Sequence, residues 1–220
     1  MTGNKGLAKL QEKDGKTQIY LQLRPGESMI LRTFNTAISS TEDWKYYQAT
    51  NKKLTIDNNW KLSFVESHPA VTETFDIDTL GSWTNIDNEV LSKNMGTGRY
   101  STTFNFKKEA GKEYRLSLGD VRESAKVTVN RKDAGTLFAV PFETNVGSLL
   151  VDGETIIEID VTNLPANRIR NYDKCGVEWR IFNKINFVSI TYKPTKFDIW
   201  EVIPSNLVGP VEIITLDKAI

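Results

Sequence analysis

The sequence predicts an all-β protein, a sandwich with an additional β segment at its N-terminus. Three observations carry this. Apolar side chains recur with a period of two in Trp60–Phe64, Tyr100–Phe106, Tyr114–Leu118 and Ile157–Val161. Successive strand side chains point to opposite faces, so such stretches describe sheets with one buried side. Turn signals separate them at short intervals: Arg24-Pro25-Gly26, Asp57-Asn58-Asn59, Ala110-Gly111-Lys112 and Asp152-Gly153. No long window shows helical spacing. Short strands at this spacing suggest a sandwich or a barrel.

The elements follow in order. Residues 1–50 read as a β appendage, or as the tail of a preceding domain. They hold two expected strands, Thr17–Leu23 and Ser28–Phe34, joined by Arg24-Pro25-Gly26-Glu27 into an antiparallel pair. Two strands alone are marginal in water, so the pair should pack on the sandwich or on a further strand. Residues 51–220 form the sandwich, which ends in a strand over Val211–Leu216. Between the Thr155–Val161 strand and that last strand lies a long irregular excursion, Asn163 to Ser205. Part of it, Phe187–Tyr192, also reads as a strand.

Composition bounds the partners. The 28 Lys+Arg balance 28 Asp+Glu, so the formal net charge is zero. A nucleic-acid partner would call for a surplus of cations to displace counterions. No run is long and apolar enough to cross a bilayer, and the start is polar, with no secretion signal on this chain. A single cysteine, Cys175, allows no internal disulfide.

The same inventory restricts the chemistry. The only histidine, His68, sits beside Pro69 in a turn-like context, which gives no support for a Ser–His–Asp or Cys–His arrangement. One histidine and one cysteine cannot build a typical structural zinc site. Asp76-x-Asp78 with Gly81 and Asp87 lacks the ligand positions of a calcium loop, although calcium held by backbone carbonyls would leave no mark in sequence. No cofactor is expected. Glycoside hydrolysis needs two convergent carboxylates, and Asp173 and Glu178 are the pair that could in principle meet, but a complete catalytic pair is not expected on this chain.

Aromatic residues remain. Sugar rings suit an indole face flanked by planar polar groups. Of the five tryptophans, Trp60 lies on a strand and reads as core. Trp83, Trp179 and Trp200 fall near expected loops. With Asn167, Arg168, Asp173, Glu178 and Arg180 they form the candidate set. They have two roles open to them: contact with a glycan, or pinning of the excursion, for instance by an Arg168–Asp173 ion pair.

A series of motifs adds to this reading. Leu80-Gly81-Ser82-Trp83-Thr84 and Gly96-Thr97-Gly98-x-Tyr100 precede Leu118–Ala125, Val127-Thr128-Val129-Asn130 and Ala134–Leu137. Val161-Thr162-Asn163-Leu164, Asn167-Arg168-Ile169 and Pro204–Val211 follow. In this order they resemble the C-terminal galactose-binding-like β-sandwich of bacterial α-L-rhamnosidase-like glycoside hydrolases. The chain is similar too to the sugar-binding domain of family 2 glycosidases. The resemblance covers about Leu54 to Leu216. It implies a jelly-roll fold, a glycan or a parent catalytic domain as partner, and a periplasmic or secreted setting, with catalysis outside the sandwich. Departures fall in turns: Asn130-Arg131 stands for Asn-Gly, so Arg131 must accept an unfavourable φ or use another turn, and Asn206 stands for Gly. The expected role is an ancillary carbohydrate-binding module, with a purely structural brace and a self-sufficient hydrolase as the rival readings.

Overall fold

A computed structural model describes residues 4–219 except 58, 181–190, 192 and 194. Two antiparallel sheets face each other across one core. The larger has six strands in the order β10-β9-β12-β6-β4-β5, namely β4 (Trp60–His68), β5 (Phe75–Ile77), β6 (Met95–Phe106), β9 (Ser124–Val129), β10 (Lys132–Leu137) and β12 (Gly153–Thr162). The smaller has four strands in the order β11-β7-β14-β3, made of β3 (Tyr47–Thr55), β7 (Glu113–Ser117), β11 (Glu143–Asn145) and β14 (Glu212–Lys218). A short pair, β8 (Asp120–Arg122) with β13 (Asn206–Gly209), stands apart from both sheets. All named strand pairs are antiparallel, as an all-β sandwich requires.

The alternation in sequence is the alternation of the pleat. Cross-strand pairing aligns Val127 with Ile159, Ile159 with Tyr100, Tyr100 with Leu62 and Leu62 with Phe75. The first four of these are at most 1% exposed. This row meets Tyr114, Leu116 and Ile213 of the smaller sheet, which are buried in the same core. Fully burying one such side chain is worth about 1.5–3 kcal/mol. A one-residue slip would turn the whole row to solvent, so burial sets the register.

The hairpin between β9 and β10 settles the question posed by Asn130-Arg131. Both residues have positive φ, 50° and 63°, the backbone of the two-residue turn that fits strand twist. Asn130 is clamped there. Its Nδ2 donates to the Leu149 carbonyl (2.9 Å) and its Oδ1 accepts from Ile156 N (2.9 Å). Arg131 takes the unfavourable conformation.

Two expectations about elements fail. The N-terminal hairpin is β1 (Leu10–Lys13) with β2 (Lys16–Ile19), not Thr17–Leu23 with Ser28–Phe34. Its turn is Asp14-Gly15, at φ 52° and 69°, a strong two-residue hairpin signal that the reading of this segment passed over. The hairpin is moored by Tyr46, which is 3% exposed and whose hydroxyl accepts from Lys9 N (2.9 Å) and donates to the Tyr20 carbonyl (3.0 Å). The excursion also contains an α-helix, α1 (Ala166–Lys174). At nine residues it is too short to show as periodicity, but its stop is regular. Gly176 N bonds the Asp173 carbonyl (3.2 Å) and Val177 N the Tyr172 carbonyl (2.9 Å), with Gly176 at φ 67°. This is the paired closure of a Schellman motif. The strand expected at Phe187–Tyr192 lies outside the described residues.

Arg131→Gly is expected to stabilise the protein. Relief of a left-handed non-glycine residue is worth roughly 1–2 kcal/mol, and the added freedom of glycine in the unfolded chain returns about 0.5–1 kcal/mol. Thermal unfolding should show a small rise in Tm, and a fall would mean that Arg131 makes a compensating contact.

Candidate functional site

The excursion leaves β12 at Asn163 and returns at Ser205, and side-chain amides hold both ends. Asn163 Oδ1 accepts from Gly96 N (2.9 Å), and its Nδ2 donates to the Asn94 carbonyl (3.2 Å) and to Ser205 Oγ (3.1 Å). At the second position of α1, Asn167 mimics a strand partner for Ile203. Its Nδ2 donates to the Ile203 carbonyl and its Oδ1 accepts from Ile203 N, both at 2.8 Å. Ser82 Oγ accepts from Ser205 N (3.0 Å). Asn163, Asn167 and Ser205 are all buried. Burying so many polar groups is tolerable because each meets a partner.

The far end of α1 is built around Asp173. Its Oδ1 accepts from the Trp179 indole N–H (2.7 Å), and its Oδ2 from Phe197 N (2.8 Å) and the Arg180 guanidinium (3.2 Å). The Phe197 amide does most to hold this carboxyl below its usual range, aided by the Trp179 indole and Arg180 against the opposing effect of burial. A general acid in glycoside hydrolysis needs the opposite shift. Arg180 lies 4.6 Å from the Trp179 ring centroid and donates to the Thr195 carbonyl (2.6 Å). Phe197 meets Trp200 edge-on at 4.5 Å. Arg170 Nε donates to the Trp200 carbonyl (2.5 Å).

The candidate residues thus divide. Asp173, Trp179 and Arg180 form one cluster, and Trp200 joins it through Phe197. Asn167 lies in the polar seat beneath, closed to ligands at 1% exposure. Arg168 does not pair with Asp173. It stacks on the Tyr172 ring at 4.4 Å, and its buried Nε has no hydrogen-bond partner among the described residues. The expected ion pair is replaced by Arg180–Asp173, because α1 turns Arg168 away from the residue five positions on. Glu178 is exposed. Trp83 is not a loop platform. It is 0% exposed and packs edge-on against Phe64 at 5.3 Å, because its 3-10 turn (Trp83–Asn85) tucks it under β6.

The candidate set left out Ser82, Asn163 and Ser205, although all three stand in the motifs that carry the resemblance, and it left out Phe197, which acts through its backbone amide and ring. It also missed a cavity of about 300 Å³ bordered by Ile77, Gly81, Ser82, Asn85, Ile86 and Tyr100. Tyr100 is only 1% exposed there, so the cavity offers no free aromatic face. Among the described residues no group of His, Cys, Asp and Glu side chains could hold a metal ion, and no helix is long and apolar enough to cross a membrane.

No protein-family model matches the chain. It is 28% identical to a putative β-glucuronidase of Formosa agariphila over 91% of its own length and 18% of that protein. Its fold resembles part of a rhamnosidase from Novosphingobium sp. PP1Y, with a TM-score of 0.69 and 23% identity over 94% of this chain and 19% of that one. A β-glucuronidase from an uncultured Clostridium sp. aligns with a TM-score of 0.53 and 18% identity, over 84% of this chain and 31% of the other. The chain therefore spans about a fifth of the curated relative and between a fifth and a third of these solved structures.

Asp173→Asn should lower Tm by several degrees at neutral pH, since an amide cannot satisfy three donors as a carboxylate does. The sign follows from the lowered pKa. The Asp173 contribution is present above its unfolded value of about 3.9 and is lost as pH falls through the lower folded value. The Tm gap between wild type and variant should narrow in acid, and a gap independent of pH would refute the assignment.

Proposed function

We propose that this chain is a non-catalytic sandwich module of a larger glycoside hydrolase, of the rhamnosidase-like and galactose-binding-like kind, which contacts glycan or braces the catalytic part. One observation supports it most. The whole sandwich finds its likeness within much longer glycosidases, while its best-placed carboxylate, Asp173, has both oxygens engaged by its own chain. A site so engaged serves to hold a loop in place. What it holds out to solvent is an aromatic edge, where Trp200 remains 41% exposed next to Ile199 at 80%. Indole beside polar side chains is the surface that a sugar ring's C–H face selects.

The brace reading has its own support. The amides, indole and guanidinium that could bind sugar hydroxyls are spent within the excursion, and a rigid excursion can pack on a neighbouring domain without glycan affinity. The two readings meet different fates in one experiment. Oligosaccharides from rhamnose-rich or pectic glycans are titrated against wild type and Trp200→Ala, with Tm measured alongside. Glycan contact predicts binding that Trp200→Ala abolishes at unchanged Tm. Absence of binding by wild type leaves the brace. Turnover of aryl glycosides by the isolated chain that Asp173→Asn or Glu178→Gln removes would overturn the module reading altogether.

A further inference from the structure

The cavity of about 300 Å³ between the end of β5, the 3-10 turn and β6 joins two kinds of surface. Ile77 and Ile86 line it, half-buried, and pack against the sandwich core. Thr79 and Asn85 line it as exposed residues, and no hydrogen bond among the described residues occupies either side chain. Tyr100 borders it from the core at 1% exposure.

The Tyr100 hydroxyl has no hydrogen-bond partner among the described residues. Burial pushes its pKa up, so it keeps its proton, and the Leu207 amide beside it can only donate. A buried donor is thus left without an acceptor. Two further buried groups adjoin it. Asn206, at 0% exposure, donates from Nδ2 to the Gly81 carbonyl at the cavity wall, while its Oδ1 has no partner. Trp83, between the lining residues Ser82 and Asn85, has an unpartnered indole N–H. Buried polar groups are normally paired, so three orphans in one neighbourhood call for a common explanation.

The lining also defines what fits. No charged side chain borders the cavity. Asp78 and Asp87, next in sequence to Thr79 and Ile86, are exposed and set a negative field beside its lining. An anion is disfavoured there. Apolar walls with a few polar groups that fix orientation are the usual make-up of a small-molecule site, and such sites span about 300–1,000 Å³. This one is at the small end, with room for one ring and not for a chain.

We propose that this cavity binds a single neutral sugar ring and rejects a uronate, with the ring's C–H face against Ile77 and Ile86 and its hydroxyls toward Thr79, Asn85 and the Tyr100 hydroxyl. This rests on the glycan-contact form of the module reading and adds a site apart from the Trp200 edge.

The test titrates the full chain with methyl α-L-rhamnoside, methyl β-D-galactoside and methyl β-D-glucuronide, followed by amide NMR spectra. The expected result is that a neutral glycoside shifts the amides of residues 77–86 and 100 and the glucuronide does not. Thr79→Val with Asn85→Ala, both at exposed positions, should weaken binding at least about fivefold at unchanged Tm. Tyr100→Phe should also weaken binding while Tm holds or rises, because the hydroxyl it removes has no partner to lose. Equal binding of the glucuronide, or binding that both variants tolerate, overturns the proposal. Shifts confined to residues around Trp200 and abolished by Trp200→Ala overturn it and leave glycan contact at that edge standing. No shift with any of the three glycosides overturns it and leaves the brace.

Discussion

Between Leu164 and Pro204, where the chain has left the sandwich strands, no backbone hydrogen bond to a sheet strand is made among the described residues. Each unpaired buried amide or carbonyl costs about 1–3 kcal/mol, so the excursion exists only if something else pairs them. Here Asn163, Asn167, Ser205 and Ser82 do so. Asn163 joins the start of β6, the carbonyl of Asn94 and the hydroxyl of Ser205 in one side chain. Asn167 offers Ile203 the donor and acceptor that a neighbouring strand would offer. α1, the Asp173 cluster and the aromatic edge at Trp200 all stand on that seat.

The consequence for function is a division of labour among similar residues. Planar donors, carboxylates and indoles are the groups that recognise sugars, and they also suit the closure of a polar loop. Asp173, Trp179 and Arg180 are committed to closure, as the lowered pKa of Asp173 reflects. Trp200 keeps a free surface, 41% exposed, although its backbone N–H and carbonyl bond Phe197 and Arg170 and its ring meets that of Phe197. The opposite case is the segment around Gln22 and Leu23, where polar groups bind the sandwich and apolar groups are left out. Stability spent on internal contacts and surface left for partners can be told apart residue by residue.

The sheets were legible in sequence because one buried face imposes a period of two, and Trp60–Phe64, Tyr100–Phe106, Tyr114–Leu118 and Ile157–Val161 all carry it. The left-handed turn at Asn130-Arg131 was legible as a conflict between residue and backbone. α1 was not, since nine residues held by tertiary amide contacts need no amphipathic stripe. Its stop at Gly176 was the one local signal. The N-terminal pairing was misplaced because Thr17–Leu23 and Ser28–Phe34 alternate like strands yet lack a covered apolar face here, while Asp14-Gly15 forms the hairpin that closes. Trp83 read as a loop residue from its polar neighbours, whereas its burial under β6 depends on Phe64 and Gly98, distant in sequence. The cluster at Asp173 was foreseen in composition and wrong in pairing: the helix decides which arginine reaches it.

The amide seat, not the sheets, holds the two ends of the excursion. Native-state hydrogen exchange on Asn163→Ala tests it most directly. The account predicts that amides of α1 and of residues 201–205 lose protection together, while Tyr100, Val127 and Ile159 in the sandwich core remain protected. Unchanged protection across α1 would contradict it, and so would a uniform loss across both the excursion and the core strands.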